Sequence, residues 1–215
     1  MAHTMNLSLR VCTGLLAFLA LFFCPTHVLA QEEITDKIVL NWTIVGRGLD
    51  VLPGQRYTLV NKTLRQSIRY GQRGSLGGIN LVWDTSTNLR NFTIEPIESA
   101  GSPIKYGDRV AISIQGIDQP YLKYERRTIG INLNWSNRPI YEWIVAGGPK
   151  GTVVKAQTQV ALFNTVEKDF LIYGQRGGKA INLRWYKDRN QGGYLAAMKR
   201  VVTKRGFEYL EEFFR

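Results

Sequence analysis

The chain has 215 residues, and its two cysteines and two histidines, Cys12, Cys24, His3 and His27, all lie within the first 27. Lysine and arginine number 28 against 17 aspartate and glutamate, a formal net charge of +11, which favours anionic partners. Beyond position 27 there can be no cysteine nucleophile, histidine base, Ser-His-Asp triad, Cys/His zinc site or disulfide, so a non-enzymatic protein with no metal and no cofactor is expected.

The first element is an export signal. Positions 11–24 form an apolar run of 14 residues after Arg10, and Val28-Leu29-Ala30 follows with the spacing a signal peptidase reads. Crossing a bilayer takes roughly 20 apolar residues, so residues 1–30 read as a signal peptide cleaved near Ala30, and the protein as secreted or periplasmic. The 185 residues that follow suffice for one domain that buries roughly 70% of its unfolded surface.

From there the chain repeats itself. Trp42-Thr43-Ile44-Val45, inside a segment 37–47, has the aromatic and β-branched character of a strand. A first unit (54–98) runs from Tyr57-Thr58-Leu59-Val60-Asn61 through Tyr70-Gly71-Gln72-Arg73 and Asn80-Leu81-Val82-Trp83 to Phe92-Thr93-Ile94. A second (107–148) repeats the order with Val110-Ala111-Ile112-Ser113-Ile114, Tyr124-Glu125-Arg126-Arg127, Asn132-Leu133-Asn134-Trp135 and Trp143-Ile144-Val145. A third (156–193) has Val160-Ala161-Leu162-Phe163-Asn164, Tyr173-Gly174-Gln175-Arg176 and Asn182-Leu183-Arg184-Trp185. The Asn-Leu-x-Trp copies are spaced by 52 and 50 residues. Each Tyr-to-Ile gap is short and of variable length, as in a hairpin loop that tolerates insertions. Each unit is therefore four short strands, and the strand the third unit lacks comes either from Tyr194-Leu195, 51 residues after Trp143, or from the 37–47 segment, which is preferred because Ala196-Ala197-Met198-Lys199-Arg200 suits a helix.

Alternation divides the hairpin residues into two faces. Ile79, Leu81 and Trp83 share one parity, as do Ile131, Leu133, Trp135 and Ile181, Leu183, Trp185. The tryptophans are therefore read as core rather than as sugar-stacking platforms. Asn80, Asn132 and Asn182 have the opposite parity, beside the non-repeating Val82, Asn134 and Arg184.

Three four-stranded units of about 50 residues resemble the β-trefoil superfamily, over about residues 37–193. The resemblance implies an all-β fold in which first and fourth strands build a six-stranded barrel and second and third strands form three capping hairpins. A three-fold β-prism is the alternative architecture. The Gln-x-Trp signature of ricin-type repeats and the disulfides of plant inhibitors are both absent, so no subfamily's site residues carry over. The resulting organisation is a signal peptide (1–30), a β-trefoil domain (31–193) and a basic amphipathic tail (194–215) carrying a C-terminal helix, read as docked on the domain in preference to a membrane or partner helix.

The candidate ligand-binding residues are Arg73, Arg127 and Arg176, which recur three positions after tyrosine, with Gln72 and Gln175 beside them and Asn80, Asn132 and Asn182 across the hairpin. Arginine binds carboxylate, sulfate or phosphate bidentately, and an amide can bind a ligand or brace a loop. Glycosylation sequons at Asn41, Asn61, Asn91 and Asn134 fall in several cases in expected strands. The expectation is a lectin-like module that recognises a glycan or an anionic surface polymer. The alternatives are an inhibitor of a hydrolase, with a protein target, or the delivery part of a toxin, with the tail touching a membrane. Nucleic acid is not an expected partner of an exported chain with scattered basic residues.

Overall fold

The computed structural model describes residues 39–72, 79–98, 101–176, 181–189 and 194–214; the expected signal peptide lies outside them. The described chain is predominantly β, a curled antiparallel sheet of twelve strands with few helices. The strands are β1 (Trp42–Val45), β2 (Thr58–Asn61), β3 (Gln66–Tyr70), β4 (Leu81–Asp84), β5 (Phe92–Pro96) and β6 (Arg109–Ile114). They continue with β7 (Tyr121–Tyr124), β8 (Leu133–Ser136), β9 (Trp143–Ala146), β10 (Gln159–Asn164), β11 (Asp169–Tyr173) and β12 (Leu183–Trp185). After a 3-10 turn at Tyr186–Arg189 come helix α1 (Tyr194–Arg205) and a second 3-10 segment, Glu208–Phe214.

The pairings run in a cycle. β1 pairs with β2 and β10, β10 with β9, β9 with β6 and β6 with β5. The bridge between Tyr57 and Phe92 returns β5 to the start of β2 through two backbone bonds of 2.7 and 2.9 Å. The other six strands form the hairpins β3–β4, β7–β8 and β11–β12.

Alternation turns one face of the cycle inward. Trp42 and Ile44, Phe92 and Ile94, Trp143 and Val145 are all buried, and they share one core with Ile79, Leu81, Ile131, Leu133, Ile181 and Leu183 from the hairpins. The expected tryptophans pack here too: Trp185 is fully buried, while Trp83 and Trp135 are partly buried against the core. Each hairpin tyrosine meets the next unit's tryptophan, Tyr70 with Trp135 at 6.3 Å, Tyr124 with Trp185 at 6.0 Å and Tyr173 with Trp83 at 6.2 Å between ring centroids. These separations are those of favourable aromatic pairs.

The segments that lead into the three units are tied together by backbone hydrogen bonds. Val51 N–H donates to Val154 O (2.9 Å), Val154 N–H to Ile104 O (2.8 Å) and Ile104 N–H to Val51 O (2.8 Å). This closed circuit of three bonds satisfies buried groups that lie in loops rather than strands, and it ties the segment before each unit to the other two.

A second core lies outside the sheet. The outward residues of β9, β10 and β11, namely Ile144, Ala146, Ala161, Phe163, Phe170 and Ile172, are as buried as the inward ones. Met198, Val201, Val202, Phe207 and Leu210 cover them, and Phe213 and Phe214 pack at 5.5 and 5.7 Å from Phe163. α1 stops at Gly206, whose φ of 69° places it in the left-handed region, with Phe207 N–H donating to Val202 O at 2.8 Å. The apolar stripe of the tail is thus spent on this protein's own sheet, and no helix among the described residues is long and apolar enough to cross a membrane.

Candidate functional site

The three hairpin ends form the candidate site, and in the second and third units they are braced by the residues the sequence singled out. Asn132 Oδ1 accepts the Arg127 N–H at 2.9 Å, and Asn182 Oδ1 accepts the Arg176 N–H at the same distance. The guanidiniums turn back along their hairpins: Arg127 Nη1 donates to Leu133 O (3.2 Å) and Arg176 Nη1 to Leu183 O (3.3 Å). Arg176 Nη2 also crosses to Gly130 O in the neighbouring hairpin at 2.9 Å. Of the repeated arginines and asparagines, those of the second and third units therefore hold the loops in shape. Arg73 lies outside the described residues.

In the first unit residues 73–78 lie outside the described ones, and only the flanks of the hairpin are described. Asn80 has φ 53°, a left-handed conformation that asparagine tolerates better than most residues. Ile79 O then receives Trp135 Nε1–H at 2.9 Å. In the other units the corresponding carbonyls, Ile131 O and Ile181 O, accept from Leu133 and Leu183 N–H at 2.7 Å.

The position two after each tyrosine faces outward. Gln72, Arg126 and Gln175 are all exposed, while their braced neighbours Arg127 and Arg176 are half-buried. One side-chain N–H donor group per unit is thereby presented to solvent, and in the second and third units the backbone beside it is fixed by Asn and Arg. The adjoining hairpin residues are also coupled. A Cβ on Gly71 would stand 2.6 Å from Val82 Cγ2, and one on Gly174 would stand 2.7 Å from Arg184 Cδ. In the second unit Glu125 occupies the glycine position, and Asn134 Nδ2 donates to its Oε1 at 2.9 Å. Lys123, and after it the Asn134 contact, hold the Glu125 carboxyl below the usual range. The apparent drift of Val82, Asn134 and Arg184 is therefore a set of paired choices across each hairpin.

Behind the hairpins are buried polar brackets that the sequence did not flag. Asn61 Nδ2 donates to Asn41 Oδ1 at 2.6 Å, and the same oxygen accepts Tyr173 N–H at 2.8 Å. Between the second and third units, Asn164 Nδ2 donates to Glu142 Oε1 at 3.0 Å, and that oxygen also accepts Tyr124 N–H. Asn61 and Asn164 each cap the following turn with Oδ1, to Thr63 and Leu64 N–H and to Val166 and Glu167 N–H. The available signal was the asparagine that ends both the Tyr57 and Val160 strands, 103 residues apart. Glu142 is a carboxyl where Asn41 stands in the equivalent bracket, and burial raises its pKa against the opposing pull of its hydrogen bonds. Asn41 and Asn61 are buried, and the side-chain nitrogens of Asn91 and Asn134 donate to Ile68 O and Glu125, so the sequons are consumed by structure.

Among the described residues no cluster of three or more His, Cys, Asp or Glu is placed to hold a metal ion. Comparison with protein-family models, with curated proteins and with solved structures finds no match to this chain.

Proposed function

We propose that this chain is a secreted, non-enzymatic β-trefoil module that recognises glycans or anionic surface polymers through its three hairpin ends. The trefoil reading is supported by the cyclic strand pairing, the three hairpins, the Val51–Ile104–Val154 circuit and the cyclic Tyr–Trp contacts. The observation that carries the binding reading is the shared exposure of Gln72, Arg126 and Gln175 at one position of three units. Their donors suit hydroxyl, carboxylate or sulfate oxygens, and three weak equivalent contacts suit a multivalent surface.

In this reading Arg127, Arg176, Asn132 and Asn182 position the loops and do not touch ligand. A glycan array and immobilised heparin, run at low and high salt, test it with the wild type and a Q72A/R126A/Q175A variant. Wild-type binding that weakens at least about tenfold in the triple variant is expected, since several avidity-linked contacts are lost together. Absence of wild-type binding to every surface refutes the reading.

A further inference from the structure

The wall formed by β5, β6 and β7 carries a polar group that the hairpin ends do not use. Register sets Thr93 opposite Ser113 and Ser113 opposite Tyr121, with Glu95 two residues along β5 on the same side. Phe92, Ile94, Ile112, Ile114 and Leu122 alternate with them and are buried, so the four polar residues face away from the core. Thr93 and Ser113 share a hydroxyl hydrogen bond, Thr93 Oγ1 donates to Glu95 Oε1 at 3.5 Å and Tyr121 OH donates to Glu95 Oε2 at 3.3 Å. All four are half-buried. Among the described residues no lysine or arginine forms an ion pair with Glu95.

The corresponding rows of the other two units do not repeat this polar group. In the third unit the row is Ile144, Phe163 and Phe170, and the protein's own Phe213 and Phe214 rings sit on it. In the first it is Thr43, Val60 and Ser67, with Ser67 Oγ donating to Ser86 O at 2.5 Å. This part of the wall is thus a surface on which six-membered rings are seated in one unit, and the second unit offers it with hydroxyls and a carboxylate in place of aliphatic and aromatic groups.

We propose that the β5–β6–β7 wall is a binding site for a neutral sugar, with Glu95 and the Thr93 and Ser113 hydroxyls bonding its hydroxyl groups and Tyr121 offering ring and phenol. Both bonds to Glu95 are at or beyond the long limit for O–H···O contacts, and an ionised carboxylate has about four acceptor positions, so adjacent sugar hydroxyls find acceptors there. Burial raises the pKa of Tyr121, which keeps its hydroxyl a donor at neutral pH. The carboxylate disfavours an anionic ligand, which separates this site chemically from the basic hairpin ends. It does not depend on the hairpin reading.

The test is saturation-transfer NMR of the full chain with a panel of neutral mono- and disaccharides, followed by titration of the sugars that respond. Wild type is expected to show transfer to at least one sugar, E95Q and Y121A each to weaken it at least about tenfold, and Q72A/R126A/Q175A to leave it unchanged. Glu95→Gln is isosteric, so it gives a readout even if Tyr121→Ala fails to fold. Absence of transfer to every sugar, or binding that E95Q does not weaken, overturns the proposal.

Discussion

Replacing Phe207 by alanine tests whether the tail is a structural part of the domain. Phe207 has no exposed surface and sits with Met198, Val201, Val202 and Leu210 over the outward face of β9, β10 and β11. Truncating a fully buried phenylalanine costs about 3–5 kcal/mol when the surroundings cannot collapse into the space, a large part of the 5–15 kcal/mol that holds a typical domain together. The cost reaches the sheet only if tail and sheet unfold together; a tail that detaches first limits the loss to its own docking free energy. The chain has five tryptophans, at 42, 83, 135, 143 and 185, so none lies in the tail. Tryptophan fluorescence in urea therefore reports the sheet. With a slope of about 2 kcal/mol per molar urea, F207A is expected to lower the fluorescence midpoint by roughly 2 M in a single transition. A shift under about 0.3 M would show that the tail contributes nothing to the sheet, and that Phe163 and Phe170 tolerate uncovering.

Three further outcomes follow from the site. Glu142 has its folded pKa raised by burial, so the folded state binds more protons than the unfolded one from the ordinary glutamate range up to that raised value, and stability falls as pH rises through this window; Glu142→Gln, which keeps the acceptor for Tyr124 N–H and Asn164, is expected to remove that part of the decline, read as the difference between variant and wild-type urea midpoints from pH 4 to 8. Asn182→Ala leaves the Arg176 N–H without its acceptor and is expected to cost about 1–3 kcal/mol by thermal or urea unfolding, while Gln175→Ala on the exposed side changes stability by under about 0.5 kcal/mol. Gly71→Ala drives a Cβ into Val82 at about 1–3 kcal/mol, and the G71A/V82A double variant is expected to recover most of it, a coupling that a double-mutant cycle measures.

Much of the inward half of this structure is legible in the sequence because it depends on alternation alone. Ile79-x-Leu81-x-Trp83 and its copies point to the core by parity, and the strands follow from β-branched runs at a regular period. The docking of the tail was half-visible: Val160 to Phe163 and Phe170 to Ile172 are apolar on both parities, where the equivalent outward positions in the second unit are Ala111, Ser113, Tyr121 and Lys123. A strand apolar on both faces must be covered on both, and the only other unassigned apolar stripe was in residues 194–215. The brackets and circuits were not legible. Asn41 meets Tyr173, and Arg176 meets Gly130, across separations that no local pattern encodes. The repeated Arg and Asn read equally well as ligand groups or braces, because the choice depends on whether their partners are backbone carbonyls and amides a few residues away.

The inward face repeats, whereas the outward face differs from unit to unit, and the two proposed sites therefore predict different stoichiometries. Gln72, Arg126 and Gln175 occupy one position in three units, so a short ligand specific to the hairpin ends is expected to saturate near three per chain, with affinity rising steeply when such ligands are linked on a polymer. The wall site has one copy: its counterpart in the third unit is filled by Phe213 and Phe214, and in the first unit Val60 stands where Ser113 does. A neutral sugar is accordingly expected to titrate at one per chain by calorimetry, with no gain on polymerisation beyond statistical rebinding and no dependence on salt, because the contacts involve no net charge on the ligand. A neutral sugar that saturated at three per chain, or lost affinity with added salt, would assign it to the hairpin ends and leave Glu95 and Tyr121 as a solvated patch of sheet.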